Sequence, residues 1–436
     1  MAKRHLLTDD YAGLFLRLEE LVLANSGEDE FEEIFKLIYA KLLDEIQYNS
    51  SRFHCCSSPK ETYNAIAALL SEAIEHWPGV FEPDTRIKLT PEHLSICVEV
   101  LSTRAIFETG LEVMDGAFEY LTSHTSKGAK GQYFTPRHVV EFCVRVLNPQ
   151  QGELVADPAC GSGAFLVHAV RHVQSALPDS HKASHTQKAN LRQYCSKYIW
   201  GFDFEQRATK VSKALMLLLG DGSSNIVRLN SLLKPQTQGS LMSYASDAPP
   251  TVTIEDVMRI AHPTFSGFDV ILTNPPFAGE VRELELLREY ELHHLMRTRR
   301  IERDALFLER CIELLKPGGR LAIVLPENKL GSEMWTHLRK WLISKTRVRA
   351  VVSLPRAVFM PHTSQKTSIL FAQKRSNKDK PDVAEKTFFA ISARSGKDSR
   401  GVPIYRPSLK DNGEAAWSAL DHDFEQILKA YQACKL

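Results

Sequence analysis

Asp157-Pro158-Ala159-Cys160-Gly161-Ser162-Gly163-Ala164-Phe165-Leu166 is the stretch that decides how this chain folds. The apolar run Glu153–Asp157 leads into it, two glycines punctuate it, and the apolar helical pattern Phe165–Val173 leads out. Strand, tight loop and helix in that order open a βαβ unit, in which glycines let the backbone turn sharply and approach a ligand. No lysine precedes a Ser or Thr at the loop's end, so a phosphate-cradling P-loop is excluded. Gly161-x-Gly163 also lacks the third glycine of a dinucleotide fingerprint. The acid at Asp157 is the telling feature. A carboxylate at a strand end meets a positive charge or an amino group, so an adenosyl ligand with an amino-acid tail fits better than a pyrophosphate.

Outward from this loop the same texture repeats. Short apolar runs ending in acidic or Asn/Pro residues occur at Ile199–Asp203, Ile226–Asn230, Phe268–Asn274, Arg320–Pro326, Val348–Leu354 and Thr367–Gln373, separated by helix-length amphipathic stretches. Together with the first run they predict an α/β fold: a doubly wound, mostly parallel, seven-stranded Rossmann-like sheet. Ligands of such sheets sit beyond the carboxyl ends of the strands, where strand order reverses. Asp203, ending Gly201-Phe202-Asp203, is placed to accept both hydrogen bonds of a ribose 2′,3′-diol. Asn274-Pro275-Pro276-Phe277 ends the fourth run and suits an exocyclic amine as acceptor. That nitrogen is conjugated with its ring. The Asn274 carboxamide oxygen and the Pro275 carbonyl can each accept one N–H and free the lone pair, with Pro276 helping to fix the carbonyl's direction. Phe277 offers a flat face to a base swung out of its duplex.

Residues 1–125 read as an all-helical domain. Phe31, Ile34, Phe35, Ile38 and Leu42 form one helical stripe; Leu18, Leu21 and Val22 suggest an earlier helix, and Tyr63–Trp77 another. Thr90-Pro91-Glu92 reads as a cap opening a helix through Leu101. The first fifty residues hold 11 acidic and 5 basic side chains, so this segment is a docking surface rather than a phosphate binder. Pro178–Lys197 and Lys234–Phe268 read as insertions on the sheet. After a methyltransferase-sized core at 126–393, residues 394–436 form a short extension ending in an amphipathic helix with Trp417, Leu420, Phe424, Ile427, Leu428 and Tyr431 on one face. That face suits the chain's own sheet or a partner helix.

With 54 basic and 53 acidic residues the net charge is +1, so no global field announces a polyanion partner. The eight cysteines show no Cys-x-x-Cys or Cys/His quartet, which predicts no metal and no disulfide framework. No apolar run is long enough to span a membrane and the N-terminus lacks a signal-peptide core, so the expected location is cytoplasmic.

The loop at 157–166, with Gly131-Gln132-Tyr133-Phe134-Thr135-Pro136 upstream of it, resembles the S-adenosyl-L-methionine region of N6-adenine DNA methyltransferases. More narrowly it is similar to the methylation subunit of type I restriction-modification systems. Asp304-Ala-Leu-Phe307, Leu315-Lys-Pro-Gly-Gly-Arg320 and Thr367-Ser-Ile-Leu-Phe371 follow that family's order. The resemblance implies adenine-specific methyl transfer, with Tyr133, Thr135 and Pro136 closing over the methionine end of the cofactor. Asp157, Ala159, Gly161, Gly163, Phe165 and Asp203 would line the rest of its site. Asn230 stands where family members often place an Asp near the cofactor adenine. The implied partners are double-stranded DNA, a specificity subunit that supplies the address, and a restriction subunit. Protein-glutamine and rRNA guanine-N2 methyltransferases also use Asn-Pro-Pro-Tyr/Phe on this fold, and a scaffold that has kept the fold without catalysis is a further alternative. His293-His294-Leu-Met-Arg297-Thr-Arg299-Arg300 with Arg303 reads equally as a phosphate contact or as a solvated face beside Glu289, Glu291 and Glu302.

Overall fold

The computed structural model describes residues 17–18, 20, 28–78, 80–103, 105–106, 135–176, 185–219, 225–235, 252–376, 378–406 and 419–434. The chain divides into two units, residues 1–129 with 213–224 and residues 130–212 with 225–436.

In the first unit, helices α1 (Glu30–Tyr48), α2 (Pro59–His76) and α3 (Pro91–Ser102) follow one another. Each start is written in the sequence. The side chains of Asp29, Ser58 and Thr90 accept the N–H groups of Glu32, Glu61 and His93, and α2 and α3 open on proline. The stripe from Phe31 to Leu42 is buried, but so are Glu33, Lys36, Lys41 and Asp44. Helix α1 is therefore enclosed on every side rather than along one stripe. Its charges are tolerated because they are paired: Lys36 with Glu33, Lys41 with Glu45 at 2.9 Å, and Asp44 accepting the N–H groups of Arg52 and Phe53 at 2.9 and 2.8 Å. Leu18 is buried, while Leu21 and Val22 lie outside the described residues.

The second unit is built on strands β1 (Val155–Asp157), β2 (Ile199–Asp203), β3 (Ile226–Arg228), β4 (Phe268–Thr273), β5 (Glu280–Val281), β6 (Ile301–Glu302), β7 (Leu315–Pro326), β8 (Thr346–Ser353), β9 (Thr367–Lys374) and β10 (Phe388–Ile391). Eight of them form one sheet in the order β10-β8-β9-β7-β4-β1-β2-β3; β5 and β6 pair separately. The sheet is parallel except for β9, which runs against both β7 and β8. Val155, Ala156, Val270, Ile271 and Leu272 are fully buried, as the unbroken apolar runs of a parallel sheet require. Each such Val, Ile or Leu side chain contributes about 1.5–3 kcal/mol by leaving water. The expected sheet had seven strands. The eighth, β10, joins the edge of β8 in parallel register from Phe388↔Ala350 to Ile391↔Ser353. Its four residues alternate between half-buried and exposed, too short a pattern to stand out from the polar sequence before it.

The helices of this unit are α4 (Arg137–Leu147), α5 (Ala164–Ser175), α6 (His185–Tyr198), α7 (Gln206–Leu218, of which residues 206–212 belong here), α8 (Ile254–Ala261), α9 (Leu284–Leu287), α10 (Glu291–Met296), α11 (Arg303–Leu314), α12 (Glu327–Gly331), α13 (Thr336–Lys345) and α14 (Phe424–Ala433). Both insertions prove partly helical. The second supplies α8, opened by a reciprocal capping box between Thr253 and Asp256, and buries Ile254 and Met258 in the core. At the chain's end α14 seats on its own unit rather than waiting for a partner. Phe424 stacks on Phe142 with ring centroids 5.1 Å apart, and Glu425 pairs with Arg145 of α4. Residues 394–406 and 419–434 thus belong with the sheet unit; Trp417 lies outside the described residues.

From β1 the chain winds outward through β2 and β3, then returns to place β4 on the other side of β1. Strand order reverses between β1 and β4. The crevice of this fold therefore opens beyond Asp157 and Thr273.

Candidate active site

The loop after β1 is held by hydrogen bonds that its own sequence supplies. Asp157 Oδ1 accepts the Ala159 N–H at 3.0 Å, and the Cys160 carbonyl accepts the Gly163 N–H at 2.7 Å, closing a tight turn. Gly161 and Gly163 adopt φ +52° and +86°, where a side chain is strained. At Gly163 the constraint is double, because a Cβ would lie 2.3 Å from Ser212 Oγ. Gly163 caps α5, whose first turn carries Phe165 and Leu166 into the core.

Two neighbouring strand ends fasten this loop. Asp203 Oδ2 accepts the Gly161 N–H at 2.9 Å and Oδ1 accepts the Glu205 N–H at 2.9 Å. A carboxylate has about four lone-pair sites, so these N–H contacts leave acceptor capacity on Asp203. Beyond β3, Ser231 Oγ donates to the Pro158 carbonyl at 2.6 Å, and Asn230 Oδ1 accepts the Leu232 N–H at 3.1 Å. Burial shapes the charges here. It pushes the Asp157 carboxyl up to about 7, against the pull of the Ala159 N–H. Asp203 is also raised by burial, opposed by the Glu205 and Gly161 N–H groups.

Across the switch point, Asn274 to Phe277 follow β4 directly. Pro275 is buried, Asn274, Pro276 and Phe277 are half-buried, and the Phe277 ring meets Phe359 edge to face at 5.7 Å. Because β4 is hydrogen-bonded to β1, Asp157 and Asn274 emerge from adjoining strands at the same end of the sheet. The fold thus gathers Asp157, Ala159, Gly161, Gly163, Asp203, Asn230 and the 274–277 loop. Thr135 and Pro136 lie half-buried just ahead of α4, where the Pro136 carbonyl accepts the N–H groups of Val139 and Val140. Tyr133 lies outside the described residues.

Several residues close to these loops were not singled out from sequence. Phe204, directly after Asp203, is 71% exposed, and an aromatic following a strand-ending acid is a local signal that was available. Arg310 had no such signal. Buried on α11, it grips Glu255 with two bonds of 2.7 and 2.6 Å and donates to the carbonyls of Ser231 and Leu233 at 2.9 Å each. It thereby fixes the turn after β3 from a position about 80 residues away in sequence. Lys329 is likewise buried, paired with Glu302 at 2.6 Å and with Asp304 at 3.0 Å, and burial pushes the Asp304 carboxyl up to about 6. Among the described residues no group of three or more His, Cys, Asp or Glu could hold a metal ion, and no helix is long and apolar enough to cross a membrane.

A doubly wound sheet carrying an acid-headed glycine loop and an Asn-Pro-Pro-Phe loop on adjoining strand ends is the architecture of the Rossmann-like methyltransferase fold. The chain belongs to the N-6 DNA methylase family, whose model matches residues 110–403. It is 34% identical over 251 residues to the type I restriction enzyme EcoEI methylase subunit of Escherichia coli, covering 57% of this chain and 44% of that protein. To the EcoKI methylase subunit of Escherichia coli K12 it is 27% identical over 265 residues, covering 60% of this chain and 44% of the relative. Among solved structures, the methyltransferase subunit of a type I restriction-modification system from Streptococcus thermophilus superposes with a TM-score of 0.60 at 14% identity, covering 99% of this chain and 94% of that one, a likeness of fold. The matched region spans less than half the length of these curated relatives.

Proposed function

We infer that this chain transfers a methyl group from S-adenosyl-L-methionine to N6 of adenine in double-stranded DNA. It acts as a modification subunit whose address comes from a separate specificity subunit, in an assembly that a restriction subunit can join. The observation that carries this reading is the emergence of Asp157 and Asn274 from hydrogen-bonded neighbours β1 and β4 at the switch point. The residues present fit the cofactor. Gly161 has nothing within 4 Å of where a Cβ would stand, so the loop backbone is open on that side. Asp157 is a buried carboxylate that gains by meeting a positive charge.

In this reading Asp157 receives the cofactor's amino group and Asp203 its ribose hydroxyls. Ala159, Gly161, Gly163 and Phe165 shape the loop around it, and Tyr133, Thr135 and Pro136 hold its methionine end. The exposed Phe204 ring and the Asn230 amide serve the adenine face and edge. When bound, the cofactor supplies an electrophilic methyl group. Asn274 and the Pro275 carbonyl take the two N–H groups of the target amine, which localises its lone pair. Pro275 and Pro276 have no backbone N–H and fixed φ angles, so the carbonyl keeps its direction without competing donors. Phe277, held edge to face by Phe359, stacks on the extruded base.

Nucleosides from cells expressing the chain with its specificity subunit, compared with cells lacking the chain, test this by mass spectrometry. N6-methyladenine should appear only with the intact chain. No difference in N6-methyladenine, or a new methyl group on guanine N2 or on protein glutamine instead, overturns it.

A further inference from the structure

We propose, on the reading that duplex DNA is the substrate, that residues 288–300 form a rigid arm that grips DNA phosphates beside the catalytic loop. The arm leaves that loop three residues after Phe277 and returns to it. Glu280 and Val281 pair antiparallel with Glu302 and Ile301, and Gly279 O accepts the Arg303 N–H at 3.0 Å. Glu280 stands six positions after Asn274, so the arm's root lies within roughly 20 Å of the Asn274 amide even at full extension. Phosphates on one DNA strand repeat about every 3.4 Å along the axis, so several flanking an extruded base fall inside that reach.

The underside of the arm is bolted down. Leu287, Tyr290, Leu292 and Ile301 are buried in the core. Tyr290 Oη donates to the Leu232 carbonyl at 2.6 Å, tying the arm to the turn after β3. The buried Glu309 carboxylate accepts the N–H groups of Glu291 and Leu292 at 2.6 and 2.9 Å, satisfying the start of α10. What remains outside is basic. From Leu292 to Ile301 there are three arginines, two histidines and no acid.

Of the acids beside the arm, Glu289 stays exposed at its start, while the others are engaged. Glu291 is held by Lys345 and by Trp341 Nε1, each at 2.8 Å, and Glu302 by Lys329 at 2.6 Å. Glu280 is shared between Arg282 and Arg300, at 2.9 and 3.4 Å. Among the described residues Arg297 and Arg299, both exposed, make no ion pair. Arg297 also ends α10 with φ +50°, the left-handed position where glycine is the unstrained choice. In a chain of net charge +1, this is a local concentration of cation next to the site that must hold a polyanion.

The test replaces Arg297 and Arg299 by glutamine in the full chain, which keeps each Cβ and so leaves the backbone cost unchanged. Binding of a labelled duplex of unrelated sequence is followed by anisotropy between about 0.05 and 0.2 M salt. The slope of log affinity against log salt should flatten by about 2, one unit per lost phosphate contact, while the Arg297→Lys, Arg299→Lys pair keeps it. S-adenosyl-L-methionine titration should be unchanged in both. An unchanged slope, or no duplex binding by the unaltered chain at the lowest salt, overturns the arm. Failure of the unaltered chain to bind the cofactor would overturn the methyltransferase reading instead, so the two failures are distinct.

Discussion

Gly163→Ala separates two constraints that meet at one glycine of the loop after β1. The residue sits at φ +86°, and a left-handed conformation costs an L-residue about 1–2 kcal/mol. The added Cβ would stand 2.3 Å from Ser212 Oγ and 3.2 Å from Ser212 Cβ, so it also overpacks. Overpacking costs about 1–3 kcal/mol, and the low end applies because the serine hydroxyl can rotate away. The sum, about 2–3 kcal/mol, falls on the turn proposed to shape the cofactor site, and corresponds to roughly 30- to 150-fold weaker S-adenosyl-L-methionine binding. Gly161→Ala is the internal control. It carries the strain alone, at φ +52° with nothing within 4 Å of its Cβ, and should weaken binding about 5- to 30-fold. Ser212→Ala removes the closest atom. Combined with Gly163→Ala it should recover about 1 kcal/mol, roughly fivefold, and combined with Gly161→Ala it should recover nothing. Calorimetric titration of the variants, with thermal melts to exclude global unfolding, decides the matter. Equal losses at the two glycines, or no selective recovery by Ser212→Ala, would refute the reasoning.

The remaining predictions concern the two ends of the site and their response to pH. Asn274→Ala should keep cofactor affinity and lose about a hundredfold or more in kcat, because its acceptor acts as charge develops on the amine, whereas Asp157→Ala should weaken the cofactor about 10- to 100-fold. Equal loss of cofactor binding in calorimetry of both variants would mean the ends are exchanged. Burial holds the Asp157 carboxyl at about 7, and a cationic ligand favours its ionised form. Cofactor affinity should therefore rise as pH climbs through about 7 and level off above it, with proton release on binding near neutrality measured in buffers of different ionisation enthalpy. Asp157→Asn should abolish that release. Because the folded value lies above the unfolded one, near 3.9, ionising Asp157 costs stability, so its contribution to cofactor-free stability falls as pH rises from about 4 to 7.

The loop from Asp157 to Leu166, the acid at Asp203 and the Asn-Pro-Pro-Phe turn were legible in the chain because each is a local arrangement. A glycine needed at positive φ, an acid ending an apolar run and a proline pair announce themselves within ten residues. The cap at Thr90 was readable for the same reason, since donor and acceptor are three residues apart. Tertiary structure alone decided the rest. That β4 lies beside β1, that β10 adds an eighth strand, that α8 enters the core and that α14 seats on α4 all depend on which distant segments meet. Apolar periodicity says that a face will be covered, not what covers it. Arg310 shows the difference most plainly. In sequence it is one charge on an amphipathic helix; in the fold it is a buried guanidinium holding Glu255 and the turn after β3, stable there because its partners come from elements far away in the chain.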